Sequence, residues 1–450
     1  MKNVMLSASL AVALCGCSSF SHTNVALKQE DAPRATKASF TIQQDRGKKE
    51  KVLFILSLSG GGSRAAYFSA ATMLALEKVF EHEDINLLDE VDIISSVSGG
   101  SLPAAYYAVS ADKKDADSGN FVARRWDEDT VKELMSRNYK ARWIGNWFWP
   151  VNIAKYWFTA FDRTDIMAQT FADNMFDQKT RWNDIFNNDL KIKDIQEGKP
   201  NIIINATDGT KKYDKFSGHY DIPYSFTFTE EDFKKFANSD IGDYDVSRAV
   251  MASASFPAVF NSMTLRNFNK NSKDRYIHIF DGGNIDNLGL GSVERVITEN
   301  IAKSDANNYD KIIVMLIDSH TDNTGISSDK YDGRDMFSYI ADLNFLDSFD
   351  SLLAANRLRI IKHFNDYLAV FKNNNNYKYI FYHLSFDKIK DNSLKSKLNS
   401  ISTDFSISSA SMQAIDNAVK QLINPENDCL MKIKKMISDP NADVSSGQCD

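Results

Sequence analysis

Residues 52–58 read Val-Leu-Phe-Ile-Leu-Ser-Leu, a nearly unbroken apolar run that stops at Ser59-Gly60-Gly61-Gly62. Such a run, without alternation, suits a strand buried on both faces, the pattern of a parallel sheet covered by helices. After the glycines the period changes. Ala66, Ala70, Met73, Leu74 and Leu76 fall on or near one helical stripe over about 63–81. A second short strand, Val91 to Ser95, leads to Ser96-Val97-Ser98-Gly99-Gly100, and a helical stretch with Ala104, Ala105 and Ala108 follows. Strand, glycine turn and helix thus occur twice in succession, which predicts an α/β domain with a parallel sheet. Further strands are expected at 201–206, 276–280, 311–317 and 377–385, with a long helical region over 336–371.

The N-terminus follows another rule. Lys2 precedes an apolar run from Val4 to Leu14 and then Cys15-Gly16-Cys17-Ser18-Ser19. One charge, a short apolar region and small residues describe a secretory signal, too short to span a bilayer comfortably. Leu14-Cys15-Gly16-Cys17 also resembles the bacterial lipobox, with Cys15 a less usual residue at its place. That resemblance implies a signal peptide over 1–16, acylation of Cys17 (palmitate or a similar chain) and a lipid-anchored protein of the cell envelope. Ser18 points to the outer membrane of a Gram-negative bacterium. Ordinary cleavage and secretion is the alternative. The polar, aperiodic stretch 17–49 reads as a tether between lipid and body.

Charge and cysteine count narrow the classes. Lys and Arg number 53 against 60 Asp and Glu, a net charge of −7, and no long basic run appears. Nucleic acid is a poor partner for such a surface, because phosphate neutralisation needs a concentrated basic face. Of four Cys, two belong to the lipobox, leaving Cys429 and Cys449. In an oxidising compartment these can close a loop of about twenty residues; two free thiols are the alternative. No His/Cys/Glu spacing suits zinc and no EF-hand loop occurs, so no metal and no cofactor is expected. The segment 142–161 crowds Trp143, Trp147, Phe148, Trp149, Tyr156, Trp157 and Phe158 beside Arg142 and Lys155. It fits either a membrane-interface element or an aromatic cap packed over the sheet.

The chemistry sits at the two glycine turns. Ser98 lies where a strand passes sharply into a helix, so its hydroxyl projects from the sheet edge and the helix N-terminus favours developing negative charge. The pentapeptide 96–100 follows the G-x-S-x-G pattern with Ser96 at the first position. Gly60, Gly61 and Gly62 would let backbone N–H groups approach an oxyanion unobstructed. Phosphate binding is the rival use of that geometry, but no Gly-Lys-Ser/Thr follows and Ala65 and Ala66 stand where a dinucleotide fingerprint needs glycine.

Gly60-Gly61-Gly62-Ser63-Arg64, the Ser98 elbow, the stretch Ser247 to Pro257 and Asp281-Gly282-Gly283 together resemble, in order, the patatin-like phospholipase family. Asn205-Ala206-Thr207-Asp208 and Phe226-Thr227-Phe228 are similar to its middle strands. The sequence departs from the pattern at Ser96 and Ala65, both small. The resemblance implies a three-layer α/β/α patatin-like fold with a mainly parallel central sheet over 50–320, and residues 321–450 are expected to pack on it as a C-terminal helical extension. It implies Ser98 as nucleophile and Asp281 as its base, with Arg64 bracing the glycine loop. The expected activity is that of a lipid acyl hydrolase of the phospholipase A or lysophospholipase type, acting on membrane phospholipid or lysophospholipid. Two alternatives stand beside it. One is a non-catalytic lipid-binding lipoprotein; the other is an α/β-hydrolase triad completed by His320 or His363.

Overall fold

The computed structural model describes residues 24–27, 36–42, 51–110, 125–176, 189–210, 213–214, 219–220, 224–257, 259–302, 309–321, 344–375, 377–439 and 444–449. The expected signal peptide (1–16) and the expected acylation site Cys17 lie outside the described residues.

Strand β1 (Val52–Leu58) is buried at every position. Val52, Phe54, Leu56 and Leu58 enter one core while Leu53 and Ile55 enter a second, separate one. Two cores on opposite faces explain why the run shows no polar alternation. Helix α1 (Gly62–Lys78) follows, then β2 (Ile93–Val97), α2 (Ser101–Val109) and a helical hairpin, α3 (Tyr139–Trp147) and α4 (Pro150–Phe158). Next come β3 (Asn201–Asp208), β4 (Tyr224–Phe228), α5 (Val246–Ser253), β5 (Met263–Arg266), β6 (Tyr276–Asp281) and α6 (Leu290–Ile297). The chain closes with β7 (Lys311–Asp318), α7 (Asn344–Asn375), β8 (Lys378–Ser385), α8 (Ser409–Leu422), α9 (Asp428–Ser438) and β9 (Gly447–Cys449). Helices α1, α2, α8 and α9 contribute to the first core and α6 and α7 to the second, giving three layers.

The nine-stranded sheet has the order β9-β8-β7-β1-β2-β3-β6-β5, with β4 also on β3. From β9 to β3 all neighbours are parallel. Strands β4, β5 and β6 join antiparallel. The chain leaves β1 toward β2 and returns to β7 on its other side, so the switch point lies between β1 and β7, where α/β sheets open a crevice at their C-terminal ends.

One register detail positions the site. Strand β2 pairs with β3 over Asn201–Asn205, with Val97 opposite Asn205. Strand β6 pairs with β3 over Ala206–Asp208, with Asp281 opposite Ala206. Strand β4 covers Ile204–Asp208 and so overlaps both. A strand has two edges, so β2 and β6 share one edge of β3 and meet there end to end. The end of β2 at Val97 and the end of β6 at Asp281 are consecutive along β3.

Two expected boundaries are corrected. Parts of the stretch read as a tether belong to the body: Val25–Ala26 pairs with Ser239–Asp240, and Ala38 and Phe40 are fully buried. Asn201 Nδ2 donates to the carbonyls of Ser39 and Thr41, and Arg295 covers the Phe40 ring. Nor is 321–450 only a helical extension. Strand β8 pairs with β7 along its whole length and carries β9, so the sheet crosses the boundary expected at 320. Among the described residues no helix is long and apolar enough to cross a membrane.

Cys429 at the start of α9 is disulfide-bonded to Cys449 on edge strand β9. Replacing both with Ala should lower unfolding free energy by about 3 kcal/mol, since the closed loop restricts the unfolded chain. Urea denaturation of the oxidised wild type against the variant checks this, and the wild type under reductant should match the variant.

Candidate active site

The site begins with a backbone that serine rarely adopts. Ser98 has φ of 48°, a left-handed conformation that costs a non-glycine residue roughly 1–3 kcal/mol and persists only where neighbours enforce it. The enforcing group is Ser253 at the end of α5. Its hydroxyl accepts from Ser98 N at 2.8 Å and donates to the Asn205 carbonyl at 2.5 Å. The same segment holds the opposing strand end: Asp281 N donates to Ser255 O and Gly282 N to Ser253 O, each at 3.2 Å. Thr207 Oγ1 donates to Asp281 O at 2.8 Å. Both ends meeting on β3 are therefore clamped by 253–255.

Across that junction Ser98 Oγ donates to Asp281 Oδ2 at 3.0 Å. Asp281 Oδ1 accepts from Gly283 N at 2.8 Å, which fixes the carboxyl plane. Burial pushes the Asp281 carboxyl up to about 7, against smaller lowering effects of the Gly283 and Ser98 hydrogen bonds. A carboxylate poised near neutrality beside a hydroxyl has the pKa and reach of a general base. Among the described residues no histidine is seen hydrogen-bonded to Ser98 Oγ or to the Asp281 carboxyl. His363 is exposed beside Glu294 at 3.4 Å, and His320 follows β7, where its backbone N–H donates to Asp318.

The glycine loop folds over the elbow backbone to backbone. A Cβ on Gly99 would stand 2.1 Å from the Gly62 carbonyl oxygen, so only glycine allows the approach. Gly61 and Gly62 have φ of 138° and 59°, which glycine adopts without steric cost. Their amides have no hydrogen-bond partner among the described residues and are available to an incoming anion. Gly60 differs from the expectation. Its N–H donates to Asn287 O at 2.9 Å, so its part is to anchor the loop rather than to stabilise an oxyanion. Asn287 is itself held by the turn after Asp281, where the Asp286 carboxylate accepts from the amides of Leu288, Gly289 and Gly291. Two of the serines inside the apolar strands tie this turn down: Ser57 Oγ donates to Leu288 O and Ser95 Oγ to Gly289 O.

Arg64 is buried and braces the loop from behind. Its Nε donates to Ser319 O at 2.8 Å and its Nη1 to Ile401 O at 2.6 Å. Ser319 Oγ donates to Gly60 O at 3.0 Å, and Ser63 N to Asp404 O at 2.8 Å. Residues 401–405 thus form one wall of the loop, a contribution from the far C-terminus that local motifs do not reveal. Behind Ser319, Asp318 is buried with His383 at 2.9 Å and Arg357 at 2.6 Å. Burial pushes the Asp318 carboxyl up, but these two partners outweigh it and hold the carboxyl below the usual range. Among the described residues no cluster of His, Cys, Asp or Glu could hold a metal ion.

The patatin-like phospholipase model matches residues 56–293, more than half of the chain, from within β1 to within α6. The chain belongs to the patatin-like phospholipase family. Among solved structures this patatin-like chain is similar to human GIVD cytosolic phospholipase A2, at 12% identity and a TM-score of 0.34 over 62% of this chain and 45% of that one. It is also similar to VipD from Legionella pneumophila, at 14% identity and a TM-score of 0.29, covering 89% and 72% of the two chains. ExoU of Pseudomonas aeruginosa, solved with SpcU, matches at 14% identity and a TM-score of 0.26 over 78% and 61%. The chain spans less than half the length of the first of these. No curated protein matches by sequence.

Ser98, Asp281, the glycine loop and Arg64, all legible in the sequence, come together in the structure. The part of Ser253 in holding the elbow is not legible there, although Ser253-Ala254-Ser255 lies inside the stretch Ser247 to Pro257. Ser253→Ala should release the strained Ser98 backbone and lower kcat by roughly a hundredfold with little change in KM, since small misplacements of a reacting group carry that penalty. Steady-state kinetics on a soluble short-chain ester, beside a circular dichroism melt, separate this from loss of fold.

Proposed function

We propose that the protein is a serine lipid acyl hydrolase acting through Ser98 and Asp281. The observation that carries the proposal is the hydrogen bond of 3.0 Å from Ser98 Oγ to a buried Asp281 carboxyl, beside a loop whose Gly61 and Gly62 amides have no hydrogen-bond partner among the described residues. Ser98 Oγ attacks the ester carbonyl as its proton passes to Asp281 Oδ2. The oxyanion that forms is received by the amides of Gly61 and Gly62. Collapse of the tetrahedral intermediate breaks the bond to the alcohol, which takes the proton back from Asp281, and an acyl-Ser98 ester remains. Water then attacks the acyl-Ser98 ester as its proton passes to Asp281, and collapse breaks the bond to Ser98 Oγ, which takes that proton from Asp281 as the fatty acid leaves. Family membership supports lipid ester as substrate, of the phospholipase A or lysophospholipase class. The lipobox-like N-terminus supports acylation at Cys17 and an outer-membrane location, where substrate and enzyme would share a surface.

A fluorophosphonate probe should label the wild type and leave Ser98→Ala unlabelled on a gel. Labelling that persists in the variant refutes the nucleophile assignment.

Acidity gives a second test. The hydroxyl needs an ionised Asp281, so kcat/KM should rise with pH through about 7, and Asp281→Asn should abolish that activity. Stability should run the other way. With the folded carboxyl raised from 3.8 to about 7, the unfolded chain ionises first. The contribution of this group to stability is greatest below the lower value and declines as pH climbs toward the upper. Denaturant midpoints measured across that window should therefore favour Asp281→Asn over wild type increasingly toward neutral pH.

A further inference from the structure

The aromatic segment that sequence alone left between two roles is divided by the fold. Trp143, Trp147 and Tyr156 turn toward the protein, with ring centroids 5.4 Å apart for Trp143–Trp147 and 5.2 Å for Trp147–Tyr156. The chain of rings continues from Trp143 to Phe260 at 5.2 Å and from Phe260 to Phe405 at 5.3 Å. The rings of Phe148, Trp149, Trp157 and Phe158 face outward and are 72%, 62%, 74% and 73% exposed. Soluble surfaces scatter single apolar residues; four large rings on one helical hairpin form a patch that calls for a partner.

Charge names the partner. Residues 138–161 contain no Asp or Glu and, besides Lys140, which pairs with Asp404, carry Arg142 and Lys155, in a chain whose net charge is −7. Cations flanking outward Trp and Phe rings suit the headgroup level of an anionic bilayer, where indole bodies rest in the acyl boundary and cations meet phosphate. Position gives the purpose. The N-terminus of α3 is bonded to the wall of the glycine loop, Tyr139 N donating to Phe405 O at 3.0 Å and Lys140 pairing with Asp404 at 3.2 Å. Asp404 O in turn receives Ser63 N beside the glycine loop.

We propose that the outward face of the α3–α4 hairpin docks on an anionic lipid surface and so brings the glycine loop and Ser98 to the bilayer. The docking deepens the hydrolase reading and rests on it only for the purpose, not for the contact. It is independent of any acyl chain on Cys17, because it predicts which rings enter the lipid.

The test uses the full chain with vesicles of mixed phosphatidylglycerol and phosphatidylcholine carrying brominated acyl chains, which quench nearby indoles. Quenching should be strong on these vesicles, weak on phosphatidylcholine alone, and largely lost in Trp149→Phe/Trp157→Phe, which removes the reporting indoles. The variant Phe148→Ser/Trp149→Ser/Trp157→Ser/Phe158→Ser should hydrolyse vesicle lipid at least about tenfold more slowly than wild type, given the apolar area removed. It should keep wild-type turnover of a soluble short-chain ester, which also attests its fold. Quenching unchanged in Trp149→Phe/Trp157→Phe, or a patch that proves to be a dimer interface by size-exclusion light scattering, overturns the proposal. If wild type turns over neither substrate, the hydrolase reading fails, while the quenching still decides the docking.

Discussion

Two strands that run in opposite senses end against each other along one edge of β3, and the site depends on that collision. Neither β2 nor β6 can extend further, so each must turn away within a residue or two of the junction. Ser98 is the first residue past one end and Asp281 the last of the other. The turn forces Ser98 to positive φ, and the two glycines after Asp281 let the opposing chain leave. The hydroxyl-to-carboxyl bond of 3.0 Å is thus a consequence of strand register before it is a feature of chemistry. The same junction seals the carboxyl from water, and that desolvation is what raises its pKa.

Strain at such a junction has to be held by groups that do not themselves react. Ser253 at the end of α5 and Ser255 just past it hold both strand ends, and the turn centred on Asp286 fixes Asn287 against Gly60. On the far side Arg64, Ser319 and residues 401–405 fix the glycine loop. The elbow and the loop are then pressed together so closely that Gly99 leaves no room for a methyl group against Gly62. Rigid support of this kind allows the two loop amides to stay unpaired, because the backbone around them cannot relax to find partners.

Much of the fold was legible because burial on both faces leaves a distinctive mark. The runs at 52–58, 201–206, 311–317 and 377–385 all carry the strand pattern, and all lie in the central sheet. Less legible was direction. Strand β6 was expected from its apolar run, yet nothing in a single strand tells whether its neighbour is parallel, and its antiparallel sense is what aims Asp281 at Ser98. The segment before residue 50 and the region after 320 are less legible as well. A short stretch such as Ala38–Phe40 or an edge strand such as β9 has too few residues to register a period.

The chemistry of the site was largely written in local residue choice, since a serine among small residues at a strand end and three adjacent glycines serve few structural purposes. Family membership rests on those same motifs and their order. Distances, desolvation and division of labour came only with tertiary structure. It set Gly60 apart from Gly61 and Gly62, brought Arg64 to Ile401 over more than three hundred intervening residues, and turned some of the crowded aromatics inward and others to solvent. Local sequence encodes which groups a turn can carry. Which of them meet, and which face water, depends on strand register and packing between segments remote in the chain, and no short pattern contains that information.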